Sequence, residues 1–555
     1  MISKPDPKDV MPDTLPHTTD PKPGLSCSKP AAKYGFVARM GAAWLKTGLR
    51  LLLVAVGLSV SPRWIDGAWM PSVSPVMAQN TSTNLPRLGD PSGADISPST
   101  ERRIGESIVR QMLVSGEILE DWDIRDYLAR LSAPLLATDP AQGFSFDFFP
   151  VRDITINAFA LPGGFIGVHA GLFLAAQSES ELASVLGHEV GHITQRHVSR
   201  MVAKSKQASI TTIASAILAA LAVASNPQAA VGVALLGDSL AQDQMLAFSR
   251  DAERESDRVG FDMLSQAGFE PAGMLQFFNR LQQANRLVDV GIPVYVRSHP
   301  LTSERINDVQ SRLVLLRYKQ RADSPDFAMV KAKLRNLVPL PANMVRGNPT
   351  LLNEDHRRVT LAYFERQVAD KEASLKSDAW YGLAIAKRMA KDYAGARLAL
   401  VQARKRLSAP SVFLENEAAL VELEAGQPTQ ALSLVDVALK QFASPRSLVH
   451  LKAKVLMRGD ALPAQIYLED QVKVYRGDQV LWNTLSELHF QQKRELAGHR
   501  ARAEAYACLG MWSPAMEQLR IAQRFVKEDY YNGSQIDARL KEFERNYLQD
   551  QQAKL

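Results

Sequence analysis

Alanines recur at fixed offsets in the C-terminal third of the chain. Ala384, Ala396 and Ala403 are spaced by 12 and 7 residues, and Ala419, Ala431 and Ala438 repeat that spacing 35 residues later. Ala503, Ala515 and Ala522 repeat it again, and Pro410 and Pro445 are also 35 apart. The segment reads as helical throughout. A period of this length in helical sequence implies one helical hairpin per unit, with small residues where paired helices approach closely. An unrelated alanine-rich bundle is the alternative. Stacked hairpins form a solenoid with a concave surface suited to peptides or partner proteins. Pro339, Pro341, Asn343, Gly347, Asn348 and Pro349 mark a linker upstream. The expected division is a globular domain over 79–340, a linker over 341–354 and a repeat domain over 355–555.

The globular segment contains His188-Glu189-Val190-Gly191-His192. On a helix, positions i and i+4 share a face, so both imidazoles reach one metal ion. Glu189, one step round, is placed to deprotonate a water that the metal activates. A helix is expected here: Ser178 and Glu181 form a capping box, followed by Leu182, Val185 and Leu186 at helical spacing. A catalytic zinc site takes three protein ligands and keeps one position open. Glu253 is the candidate third ligand, in Arg250-Asp251-Ala252-Glu253-Arg254-Glu255-Ser256-Asp257. Asp257, at i+4 from Glu253, is placed to accept the second ring N–H of a ligating histidine. Alternating Arg and Glu also fit a solvated helix face. Glu255 is read as structural, and His169 and His197, which have no spacing argument, as structural or surface residues.

These residues resemble a family of zinc metallopeptidases that includes membrane prenyl-protein proteases and the mitochondrial inner-membrane protease Oma. The likeness is stronger to the periplasmic β-barrel assembly-enhancing proteases of Gram-negative bacteria. Three further stretches carry it: Asn157-Ala158-Phe159-Ala160-Leu161-Pro162-Gly163-Gly164, Gln195-Arg196-His197, and Ser298-His299-Pro300 through Arg305. The resemblance covers roughly residues 85–320 and continues more loosely to the C-terminus, where the repeats look like tetratricopeptide repeats. It implies a mainly α fold: a zincin-like α+β peptidase domain with a small sheet, then an α-solenoid. It also implies one Zn²⁺ held by His188, His192 and Glu253, with Glu189 as general base. Ile154 to Ala160 is expected to be a strand ending at the Pro162-Gly163-Gly164 turn. Residues Asn157, Ala158, Phe159 and Ala160 of that strand are expected to run beside the cleft, where an extended substrate pairs with the edge. His299 is expected near the metal, either stabilising an oxyanion or filling the open position and holding the enzyme latent. Arg305 either orients ligands and carries oxyanion charge or pairs with a nearby carboxylate.

The N-terminus points to export. Residues 1–32 are polar and Pro-rich; Lys33, Arg39, Lys46 and Arg50 then precede the apolar run Leu51–Val60. Val76-Met77-Ala78 is a small-residue cleavage site, which makes 1–78 a disordered leader plus export signal; an uncleaved anchor is the alternative. The net charge of +6 falls to +2 without this leader, which holds nine Lys/Arg and five Asp/Glu. The basic balance is therefore no argument for nucleic acid. Only Cys508 remains after Cys27 is removed, so no internal disulfide forms. Residues 208–246 form an apolar, Pro-broken segment whose limbs are too short to span a bilayer. It is read as a hairpin that either packs over the site or touches a membrane or client as a lid. The expected function is an exported endopeptidase of cell-envelope quality control. Its partners are unfolded or stalled outer-membrane proteins and their assembly machinery, with peripheral membrane contact. A repeat-based chaperone with a largely silent zinc site is the second reading.

Overall fold

The computed structural model describes residues 97–197, 200, 217, 249–286, 294–314, 316, 321–338, 354–526 and 529–552. The leader, the linker up to residue 353 and the insert apart from Ile217 lie outside them.

The peptidase part opens with α1 (Pro98–Val114) and α2 (Trp122–Leu136). The Ser97 and Asp121 side chains cap them by accepting the Thr100 and Ile124 amides, which satisfies donors left over at a helix start. Strands β1 (Asp147–Val151), β2 (Ala158–Leu161) and β3 (Phe165–His169) follow, in the spatial order β1-β3-β2. β1 runs parallel to β3 with Phe149 opposite Gly167, and β2 runs antiparallel to β3 with Phe159 opposite Gly167. β2 is therefore an edge strand of this sheet. It returns through Pro162, with Gly163 at φ +76° and Gly164 at φ +90°, values that glycine adopts without a Cβ penalty.

The expected strand start at Ile154 is corrected to Ala158. The Asp153 carboxylate accepts the Thr155 amide at 2.7 Å, closing an Asx-type turn where strand pairing would begin. The side chain of His169, at the end of β3, lies against that loop, 2.9 Å from Thr155 Oγ1.

Among the described residues, seven helices of the peptidase part follow: α3 (Ala170–Ala175), α4 (Glu179–Thr194), α5 (Arg250–Gln266), α6 (Ala272–Arg286), α7 (Val294–Ser298), α8 (Ser303–Val314) and α9 (Pro325–Leu337). The capping box of α4 forms: Ser178 Oγ accepts the Glu181 amide at 3.1 Å, and Glu181 Oε2 accepts the Gln177 amide at 2.9 Å. Nearly every residue of α4 is buried, so it is the central helix, with α2, α5, α6 and β2 around it.

The repeat part begins with α10 (Glu354–Ala369). Its hairpins are α11 (Ser377–Met389) with α12 (Tyr393–Arg404), α13 (Val412–Glu424) with α14 (Pro428–Gln441), and α15 (Arg446–Leu456) with α16 (Ala461–Val474). α17 (Gln479–Gln491) with α18 (Glu495–Cys508) and α19 (Trp512–Gln523) with α20 (Tyr530–Gln552) complete the array. First helices start at 377, 412, 446, 479 and 512, the period of tetratricopeptide repeats. Two alanine triplets sit in phase, Ala384/Ala396/Ala403 and Ala419/Ala431/Ala438. The third does not: Ala503 lies on the second helix of one hairpin, and Ala515 and Ala522 on the first helix of the next. The in-phase small residues of that unit are Ser486 and Gly498, joined by a 2.9 Å bond from Ser486 Oγ to the Gly498 carbonyl. The segment between the second and third triplets holds complete hairpins.

One cluster of buried apolar side chains runs from Leu119 through Leu186, Phe261 and Val330 to Leu383 and Val421. Peptidase and first repeats thus share a core, each fully buried Leu, Val or Phe contributing roughly 1.5–3 kcal/mol. Lys333 on α9 reinforces it, 2.6 Å from Asp123 and 2.8 Å from Asp121. Asn416 on α13 donates to the other Asp123 oxygen at 2.7 Å. Farther along, Trp122 stacks on His450 with ring centroids 4.5 Å apart, and Arg110 of α1 lies against the Gly510 turn. Ile217 packs against the cluster formed by α1 and the sheet. No helix among the described residues is long and apolar enough to cross a membrane.

Candidate metal centre

The site exists because α4 and α5 cross where side chains are missing. A Cβ added to Gly260 would stand 2.9 Å from the His188 amide nitrogen, and one added to Gly191 would stand 3.0 Å from Ser256 Cα. With backbones that close, α5 presents Glu253 to the His188 and His192 face of α4.

Ligating atoms of His188, His192, Glu253 and His299 all lie within 4.8 Å of one another, and all four residues are buried. His188 Nε2 is 3.0 Å from His192 Nε2 and 3.5 Å from Glu253 Oε2. His192 Nε2 is 3.4 Å from Glu253 Oε1. Three imidazole nitrogens and a carboxylate, converging with their reactive atoms inward, are the donor set that a zinc-type cation takes. Glu253 Oε2 pairs with Arg305 Nη1 at 2.7 Å, which leaves Oε1 facing His299 Nδ1 at 3.0 Å and His192 Nε2 at 3.4 Å. Burial disfavours the charged forms here, and the neighbours decide the outcome. The carboxylates of Asp257 and Glu253 overcome it at His188, whose pKa is raised to about 9. Burial prevails at His192, which is pushed well down.

Glu189 is fully buried beside this cluster. Burial raises its pKa, opposed by the charges of His299 and His188 and by the Ala160 backbone. A buried carboxylate with a raised pKa, next to a cation site, suits a group that takes and returns a proton.

Asp257 Oδ1 is 2.9 Å from His188 Nδ1, and Arg305 clamps Asp257 from Nε at 2.6 Å and Nη2 at 2.7 Å. Arg305 also donates to the Pro300 carbonyl at 2.9 Å, which fixes the loop carrying His299. Arg305 therefore pairs with carboxylates and orders the site. His299 Nδ1 lies 3.0 Å from Glu253 Oε1 and 3.3 Å from His188 Nε2, and its ring stacks on Tyr295. Its Nε2 is 3.5 Å from Glu189 Oε1.

The strand residues divide. Ala160 reaches Glu189 through its backbone. Ala158 and Phe159 are buried in separate apolar clusters on the two faces of the sheet, the Phe159 ring lying over Gly167. The Asn157 side chain turns to His169, 3.5 Å away, rather than to the cleft. His197, set aside in the sequence, is buried with Nδ1 3.1 Å from His192 Nδ1. Glu255, also set aside, is its partner at 3.0 Å. The Gln195-Arg196-His197 stretch was the available signal, but its sequence spacing says nothing about where His197 lands.

Residues 122–313 match the model of Peptidase family M48. The chain carries a domain of that family and is a metalloendopeptidase. Over most of its length it is similar to proteases named for β-barrel assembly. It is 29% identical over 470 residues to the beta-barrel assembly-enhancing protease of Yersinia pestis, covering 83% of this chain and 92% of that one. The Escherichia coli (strain K12) protein of the same name is 28% identical over 473 residues, covering 84% and 92%. A putative beta-barrel assembly-enhancing protease of Vibrio cholerae is 34% identical over 263 residues, covering 47% of this chain and 54% of that one.

Proposed function

We propose that the chain is an exported zinc endopeptidase of the periplasm, acting in quality control of outer-membrane β-barrel proteins. On this reading it degrades those that stall or misassemble, and its repeats dock the substrate or its assembly machinery. The observation that carries the peptidase half is the convergence of four buried ligating groups beside a buried glutamate. The substrate half rests on the names of relatives that align with most of the chain.

His188, His192 and Glu253 would hold the ion. Bound there, zinc would supply Lewis acidity toward a scissile carbonyl and would acidify an attacking water. Glu189 is placed to take a proton at a carboxylate oxygen and deliver it to the departing amine nitrogen. Asp257 fixes the tautomer of His188, and Arg305 holds Asp257 and the 299–300 loop. The outer edge of β2 offers backbone groups to an extended substrate, with Ala160 nearest the reacting centre. His299 would be a fourth group holding the ion: its Nδ1 sits among the donor atoms, closer to Glu253 than either α4 histidine.

The test is cleavage of an unfolded outer-membrane β-barrel protein and of casein by wild type and Glu189→Gln, with metal content measured on both. The expected result is chelator-sensitive cleavage of both substrates by wild type. Glu189→Gln should keep its zinc and lose at least about 100-fold in rate. Cleavage by Glu189→Gln at the wild-type rate would remove the assignment of the base. Cleavage of casein alone would leave a peptidase with another client.

A further inference from the structure

We propose that His197 is a positioning residue for the metal centre, linking the Glu255 carboxylate to His192. This rests on His192 being a ligand, as proposed above.

The chain reaches this place by a backbone reversal. α4 ends at Thr194, and Arg196 takes φ +55°, a left-handed conformation uncommon for a residue with a side chain. The Arg196 amide donates to the Ile193 carbonyl at 2.9 Å, and its guanidinium pairs with Glu101. The reversal tucks His197 under the last turn of α4, where it is 5% exposed. Its ring meets that of His192 edge to face with centroids 5.0 Å apart.

The hydrogen bonds then follow from one another. Two ring nitrogens 3.1 Å apart share one proton. His192 gives its Nε2 lone pair to the ion, so its proton is on Nδ1, and His197 Nδ1 accepts. The proton of His197 is then on Nε2, which donates to Glu255 Oε2 at 3.0 Å. Ser256 Oγ, 3.2 Å from His197 Nδ1, steadies the ring from the same helix. Both α4 ligands are thus keyed by carboxylates of α5: His188 directly by Asp257, and His192 by Glu255 through an imidazole. Partners of this kind set ligand orientation and basicity, and their loss typically weakens metal binding about 10- to 100-fold.

The experiment is competition for zinc between a chromophoric chelator and the full-length protein, with the absorption spectrum of the cobalt form as a second readout. His197→Ala should weaken zinc about 10- to 100-fold and alter the cobalt spectrum. His197→Asn, which places an acceptor oxygen near the Nδ1 position, should recover most of the affinity. Glu255→Gln, at a half-exposed side chain, should weaken zinc while leaving the melting temperature of the chelator-treated protein unchanged. That variant decides the matter if His197→Ala melts early. Wild-type affinity in both His197→Ala and Glu255→Gln, with affinity lost in Glu253→Ala, would overturn this inference and leave the centre intact. Zinc binding absent from wild type would instead remove the centre, and the inference with it.

Discussion

Asp257 Oδ1 lies 2.9 Å from His188 Nδ1, one helical turn beyond Glu253 on the same face of α5. One helix thus supplies a proposed ligand and the group that would orient another. Burial alone would raise the pKa of Asp257, but the hydrogen bonds and charge of Arg305 outweigh it and hold the carboxyl below its usual range. Asp257→Asn keeps the shape and removes the charge. It should weaken zinc about 10- to 100-fold in a chelator competition; unchanged affinity would show that the contact is incidental.

His299→Ala separates the two roles open to this loop histidine. With its Nδ1 3.0 Å from Glu253 Oε1, it is placed as a donor to the ion. Removing it should free a coordination position, and casein cleavage should rise. A fall in rate with zinc retained would assign it to oxyanion stabilisation instead.

Gly260 sets how closely α5 approaches α4. Its added Cβ would stand 2.9 Å from the His188 amide nitrogen, against backbone that cannot move aside cheaply. Gly260→Ala should therefore push the helices apart and cost about 1–3 kcal/mol of stability. Zinc affinity should fall as well, because Glu253 retreats from the histidines. Denaturant unfolding of the chelator-treated protein separates the two effects; unchanged affinity in a destabilised protein would mean that the ligand set tolerates the shift.

Lys333 sits between Asp121 and Asp123 at the junction of α2, α9 and α13, with its side chain 8% exposed. Lys333→Met leaves two buried carboxylates without their cation. The expected loss is about 3–5 kcal/mol in chemical denaturation. A change below about 1 kcal/mol would mean that the acids protonate or find water at little cost.

The sequence made legible what helical spacing controls. His188 and His192 share a face by periodicity alone, as do Glu253 and Asp257, and the Ser178–Glu181 cap marks where α4 starts. Tertiary turns were not legible. His197 reaches His192 because Arg196 reverses the chain, and no spacing encodes that. β-branched residues favour a strand from Ile154, but the Asp153 side chain captures the Thr155 amide first. The alanine period was real but ambiguous in phase. Small residues serve helix contacts within a hairpin and between hairpins alike, so Ala503, Ala515 and Ala522 mimic the spacing from the wrong pair of helices.

The most direct test of the account is the zinc content and zinc-edge X-ray absorption of purified wild type and Glu253→Ala. The account predicts about one zinc per wild-type chain, bound by nitrogen and oxygen at about 2.0–2.2 Å with no sulfur. It also predicts that Glu253→Ala loses the ion together with cleavage. Wild type without stoichiometric metal, or Glu253→Ala with an unchanged spectrum, would contradict it.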